Sequence, residues 1–226
     1  MKYAVPAPPQ VAIPVEGGDP FPVRRVYCVG RNYAAHAREM GHDPDREEPF
    51  FFMKPADAIL LSKEMRYPPM TKDLHHELEM VVAISKGGVN IPVEKALEHV
   101  FGYAVGVDMT RRDVQGEAKK LGRPWDFGKG FDASAPCTAI RPDSKVGHVD
   151  KGRIELTVNG QTRQKSDVNM LIWSVPELIN RISQFMRLEA GDLIFSGTPE
   201  GVAAVKKGDK LVGHVDGLPE LEVTIV

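Results

Sequence analysis

The sequence predicts an α+β chain that is mostly β, a sandwich or rolled barrel carrying three or four helices. Short runs rich in β-branched and aromatic residues outnumber the amphipathic stretches. Those runs do not alternate with helices in the βαβ rhythm that a doubly wound parallel sheet requires. Asn159-Gly160 stands between Ile154 to Val158 and Gln161 to Gln164, the pattern of a hairpin closed by a type I′ turn.

Taken in order, Met1 to Pro22 carries prolines at 6, 8, 9, 14, 20 and 22, which remove backbone donors and favour extended chain. Residues 1–22 therefore read as a proline-rich arm and residues 23–226 as a single domain. Val26 to Gly30 is a short buried strand, after which Asn32 is placed to cap a brief helix, Tyr33 to Met40, that Gly41 ends. Phe50 to Pro55, Asp57 to Leu61 and Leu78 to Ile84 read as strands, and Val93 to His99 as a helical turn or two. Phe101 to Asp108 is a strand whose glycines permit close backbone approach. It leads into a helix, Arg111 to Leu121, with Thr110 and Asp113 as its capping pair and Gly122 and Pro124 as its stop. Ser174 to Glu177 opens a helix through Arg187, with Leu178, Ile179, Ile182 and Phe185 on one face. Asp192 to Ser196, Lys210 to Val215 and Leu221 to Val226 finish as strands, with Gly208-Asp209 and Asp216-Gly217 as turns.

With 226 residues, 42% of them hydrophobic, the chain is long enough to bury a sizeable core. Its net charge of −2 supplies no basic field for nucleic acid or anionic lipid. No stretch approaches the ~20 apolar residues of a membrane span, and no basic segment followed by an apolar one opens the chain. Cys28 and Cys137 make no disulfide framework and lack metal-ligand spacing, which fits a reducing compartment; a cytoplasmic protein is expected.

The densest polar cluster is His75-His76-Glu77-Leu78-Glu79. A zinc-protease motif would need a second histidine at position 80, which is Met80, and the segment is not helical. On a strand, Glu77 and Glu79 project to one face, where their mutual repulsion calls for a cation. Asp108, between a strand and a helix, is placed to add a third oxygen. Three carboxylates without a thiolate suit a hard ion, Mg²⁺ or Mn²⁺. The alternative is a solvent-facing side of an edge strand.

His36 and Glu39 lie three apart on the short helix, so Glu39 can hold the imidazole and raise its basicity; the alternative is a surface ion pair. Such a pair can deprotonate water, and so short a helix could act as a lid. Gly128-Lys129-Gly130 reads as a loop presenting a mobile cation to an anion or developing oxyanion, or as a plain solvated lysine. Gly197-Thr198-Pro199-Glu200-Gly201 would leave a backbone N–H and the Thr198 hydroxyl for a carboxylate, or form a tight turn; it lacks the ending of a phosphate loop.

In this order the segments resemble the fumarylacetoacetate hydrolase family. The matching pieces are Gly30-Arg31-Asn32-Tyr33 with His36 and Glu39, Lys54-Pro55, His75 to Glu79, Asp108 to Gln115, Lys129 with Phe131, Val158-Asn159-Gly160 and Gly197-Thr198-Pro199, spanning Val23 to the C-terminus. The resemblance implies a mixed β-sandwich roll like the family's C-terminal domain, a homodimer, and a divalent metal at Glu77, Glu79 and Asp108 that chelates a diketo acid. The chain is most similar to the short acylpyruvate hydrolases, especially those cleaving fumarylpyruvate to fumarate and pyruvate in aromatic breakdown. Longer members place a further carboxylate where this chain has Val29, and short relatives often carry serine where it has Gly130. The roles implied are His36 with Glu39 activating water, Lys129 and Gln115 at the oxyanion, and Arg31, Lys54 and Thr198 on substrate carboxylates. Oxaloacetate decarboxylation and double-bond isomerisation of a related diacid are alternatives for the same metal-enolate site, and a non-catalytic β-rich binding module is a third.

Overall fold

The computed structural model describes residues 3–39 and 47–226, with the side chains of residues 37–39 outside the description. At its centre is a six-stranded sheet in the order Arg141–Pro142, Val100–Val107, Leu78–Ile84, Leu193–Phe195, Val26–Gly30, Phe50–Lys54. Its pairs are antiparallel except Leu193–Phe195 against Val26–Gly30. A five-stranded sheet, Gln161–Asp167, Arg153–Val158, Lys210–Val215, Leu221–Ile225 and Glu64–Met65, forms a second layer.

Alternation along the central strands explains why they read as continuous apolar runs. Leu78, Met80, Val82 and Ile84 face the larger core with Ile154, Leu156, Leu211 and Val223 of the second sheet and Leu178, Ile179 and Ile182 of the Val175–Phe185 helix. Val81 and Ala83 face the other way, into a smaller core with Cys28, Phe195, Ile13 and Phe21. Gly106 serves that second face, since a Cβ there would stand 2.6 Å from the Phe195 ring. The sheet is thus covered on both sides.

Several local expectations are revised. Part of the proline-rich segment forms an antiparallel hairpin, Ala12–Val15 with Gly18–Pro22, that buries Ile13 and Phe21; a two-stranded edge ladder tolerates Pro20 and Pro22. Asn32 does not cap the Ala34–Glu39 helix. Buried, it donates through Nδ2 to the carbonyls of Trp173 (2.9 Å) and Ser196 (2.7 Å) and accepts at Oδ1 from the Trp173 amide (2.7 Å). The expected end of that helix, Met40 and Gly41, lies outside the described residues. Asp57 to Leu61 divides into a 3₁₀ turn, Ala56–Ala58, and a two-residue strand, Ile59–Leu60. Thr110 belongs to a short strand and the helix runs Arg112–Lys120; Asp113 accepts from Thr71 Oγ1 and the Lys72 amide, so no capping box forms there. The Ser174–Glu177 box does form, but its helix ends at Phe185, whose ring is 77% exposed.

Candidate metal centre and active site

Strand register assembles the acidic group. Leu78 pairs with Val107 and Glu79 with Gly106, and the Asp108 amide donates to the Glu77 carbonyl at 2.8 Å, carrying the pairing one residue further. Asp108 is therefore the cross-strand neighbour of Glu77, on the face Glu77 shares with Glu79. Oxygen atoms of Glu77, Glu79 and Asp108 lie within 4.8 Å of one another, and all three residues are buried. Because Leu78–Ile84 is central in its sheet, the solvent-facing alternative is excluded.

Basic groups answer this acidity unevenly. Glu77 pairs with Arg112 and, at 2.7 Å, with Lys129 Nζ. Asp108 takes Lys54 at 2.8 Å on Oδ1 and Lys129 at 2.7 Å on Oδ2. Glu79, 1% exposed, accepts the Gly197 amide at 2.7 Å and has no ion pair among the described residues. Burial, then Asp108 and Glu77, hold its carboxyl well above the usual range. Glu77 is also buried, but Lys129 and Arg112 outweigh that burial and hold it low. An all-oxygen set with one buried carboxyl lacking a cation fits a hard divalent ion.

Lys129 is not the mobile loop cation expected. It ends a short helix, Asp126–Lys129, is buried, and gives its third donor to Thr110 Oγ1 at 2.8 Å. Gly128 brings this turn onto the Arg112–Lys120 helix, since a Cβ would meet the Gln115 backbone at 3.0 Å. The close approach is to the protein's own helix.

A cavity of about 50 Å³ opens above the acidic group, lined by Arg31, His36, Glu77, Glu79, Gln115, Lys129 and Thr198, among others. His36 is buried beside it; Glu39 ends the same helix, its side chain outside the described residues, so its expected pairing with His36 is not placed. Gln115 accepts at Oε1 from Arg112 (2.7 Å), which leaves its Nε2 as a donor. Thr198 accepts from Gln164 Nε2 at 2.8 Å, leaving its hydroxyl hydrogen for the cavity. Of the backbone donors in the turn from Gly197 to Gly201, the Gly197 amide holds Glu79. Arg31 has a left-handed φ of 60° and stands 4.0 Å from Glu47. Lys54 does not line the cavity, and Val29 does.

Sequence patterns alone did not point to Gln164, Arg112 or Lys119. Gln164, fully buried, accepts at Oε1 from the Leu78 amide (3.0 Å) and donates from Nε2 to the Pro199 carbonyl (2.8 Å), so both backbone contacts fix its amide orientation. His76 Nδ1, 2.9 Å from the same Oε1, must then be its donor, and burial pushes this imidazole down to about 4. Nothing local in the sequence marks Gln164. Arg112 and Lys119 also line the cavity, and helical spacing from Gln115 was a signal for both.

The family profile described as "Fumarylacetoacetate (FAA) hydrolase C-terminal" matches residues 25–226, and the chain belongs to that family. A fumarylpyruvate hydrolase from Ralstonia sp is 45% identical over 189 residues, 82% of this chain and 98% of the relative. The crystal structure of fumarylpyruvate hydrolase from Pseudomonas aeruginosa in complex with Mn²⁺ and pyruvate is 53% identical. It superposes with a TM-score of 0.98, covering 100% of this chain and 99% of that one. Human mitochondrial oxaloacetate tautomerase is 41% identical over 196 residues, 86% of this chain and 88% of the relative.

Proposed function

We propose that this protein is a metal-dependent hydrolase of 2,4-diketo acids, with fumarylpyruvate the substrate and fumarate and pyruvate the products. The observation that carries it is the convergence of Glu77 and Glu79, with Asp108 beneath them, on a cavity that also holds His36, Lys129 and Gln115. Glu77, Glu79 and Asp108 would hold Mg²⁺ or Mn²⁺, and the similar Pseudomonas enzyme with Mn²⁺ supports this. When bound, the ion supplies positive charge to the 2-oxo acid end of the substrate, where the electrons of the breaking bond arrive.

The chain's own groups do the rest. A ring nitrogen of His36, assisted by Glu39, takes a proton from water, and the hydroxide adds to the distal carbonyl. Lys129 has its three donors on Glu77, Asp108 and Thr110, so it steadies the oxyanion by charge, and Gln115 Nε2 donates the hydrogen bond. Collapse breaks the carbon–carbon bond, the acyl fragment leaves as an acid, and the other fragment takes the proton to become pyruvate. Arg31 and the Thr198 hydroxyl, both lining the cavity, meet substrate carboxylates.

A second reading, oxaloacetate decarboxylation or tautomerisation, is favoured by relatives with those names at 41% identity. Hydrolysis stands first because the more similar relatives are named for it. A panel of fumarylpyruvate, acetylpyruvate, fumarylacetoacetate and oxaloacetate, run with and without chelator, decides. Chelator-sensitive fumarate release is expected; carbon dioxide without fumarate would establish decarboxylation, and enol-to-keto conversion of oxaloacetate with neither product would establish tautomerisation.

We also infer a cytoplasmic homodimer acting in aromatic breakdown. The partly exposed Phe50, Phe185 and Met186 around an apolar groove support the dimer. Two buried free cysteines support the compartment, and likeness to fumarylpyruvate hydrolases supports the pathway. Among the described residues no helix is long and apolar enough to cross a membrane. A small diketo acid is the expected partner, with no role for nucleic acid.

A further inference from the structure

Lys54 ends the Phe50–Lys54 strand with its side chain directed inward, 1% exposed. Its ammonium donates to the Met109 carbonyl at 3.1 Å and to the Lys129 carbonyl, and stands as an ion pair 2.8 Å from Asp108 Oδ1, an oxygen that accepts no hydrogen bond. Lys54 does not line the cavity where substrate would sit. The Lys129 carbonyl also accepts from Ser134 Oγ at 3.0 Å, while the side chain of Lys129 returns to the other Asp108 oxygen. One buried cation therefore ties a carboxylate to the backbone that launches the second lysine.

We propose that Lys54 is a positioning residue that, through the Met109 and Lys129 carbonyls and its charge beside Asp108, fixes where Asp108 and Lys129 stand toward an incoming divalent cation. This rests on the ligand set given under Proposed function. Groups that orient a ligand carboxylate commonly change metal affinity roughly ten- to a hundredfold when lost.

The test is Lys54→Met, titrated with Mn²⁺ by calorimetry and by electron paramagnetic resonance, then assayed at saturating Mn²⁺. The expected result is Mn²⁺ affinity weakened roughly tenfold or more, an altered Mn²⁺ resonance as Asp108 and Lys129 shift, and KM within about twofold of the parent. Unchanged Mn²⁺ affinity with a raised KM would make Lys54 a substrate contact and overturn the proposal. A lowered melting temperature with affinity and resonance unchanged would make it merely structural, and also overturns it. Should the methionine variant not fold, Lys54→Gln, a neutral donor of shorter reach, is put through the same titration, where weakened affinity supports the proposal and unchanged affinity overturns it. If the parent protein itself binds no Mn²⁺, the ligand set fails first, which separates that failure from this one.

Discussion

A carboxyl group buried beside two others, as Glu79 is beside Glu77 and Asp108, resists ionisation until a cation arrives. Glu77→Gln and Glu79→Gln should each abolish metal-dependent pyruvate release while leaving the circular dichroism spectrum unchanged; normal turnover in either removes that residue from the ligand set. His36→Ala should lose hydrolysis yet keep Mn²⁺ binding, read by calorimetry. The cysteines offer a control away from this chemistry. Burial raises both thiols, that of Cys137 to about 12, so neither should react with a thiol reagent at pH 8 until the protein unfolds. Because each folded value lies above the unfolded one of ~8.5, the stability these thiols contribute is lost as pH climbs past the latter. At this scale Glu77 and Glu79 were legible because a period of two is local. The inward course of Lys54 was not, because packing decides where a long side chain ends.

Elements were legible where turn or cap chemistry is self-contained. Asn159 and Gly160 have φ of 53° and 77°, as a type I′ turn demands, and Asn159 is pinned by Asp209 and the Lys210 amide. A Cβ at Gly160 meets nothing within 4 Å, so Gly160→Ala should cost only the backbone term, about 1 kcal/mol, measured by urea denaturation. Ser174 and Glu177 likewise announced their helix, whereas Thr110 and Asp113, similar in pattern, were claimed by Lys129 and by Thr71 and Lys72. Tertiary partners override a local motif when they offer better hydrogen bonds. Gln164 shows the same from the other side: it links the Arg153–Val158/Gln161–Asp167 hairpin to the start of the Leu78–Ile84 strand and to Pro199. Gln164→Leu should destabilise by about 1–3 kcal/mol for each buried group left unpaired and lower turnover as Thr198 loses its partner.

For the molecule as a whole, the prediction of a mostly β roll followed from strand counts and holds. The covering of both faces of the central sheet did not follow, because the hairpin that closes the second face is written in proline-rich sequence. With two cores built from apolar contacts, the fold has no evident need of an ion. Chelation should abolish turnover and leave secondary structure intact. At free ion a hundred times its Kd, the lost stability should be only the binding term, roughly 2.7 kcal/mol, seen as a modest fall in melting temperature. A collapse of structure on chelation would contradict this.

Once an ion draws Glu79 into its ionised form, Lys54, Lys129 and Arg112 match Glu77, Glu79 and Asp108 charge for charge. A socket whose third acid stays protonated until then can be made and kept in reserve without its ion, unlike small domains that metal alone holds together. The two surplus charges that an ion brings then remain for the reactant. A diketo acid whose carboxylate and enol are both ionised carries two negative charges, so only reactant and ion together restore neutrality. Activity would then follow the supply of free ion in the cell, and the enzyme would idle, folded and intact, whenever that supply ran short.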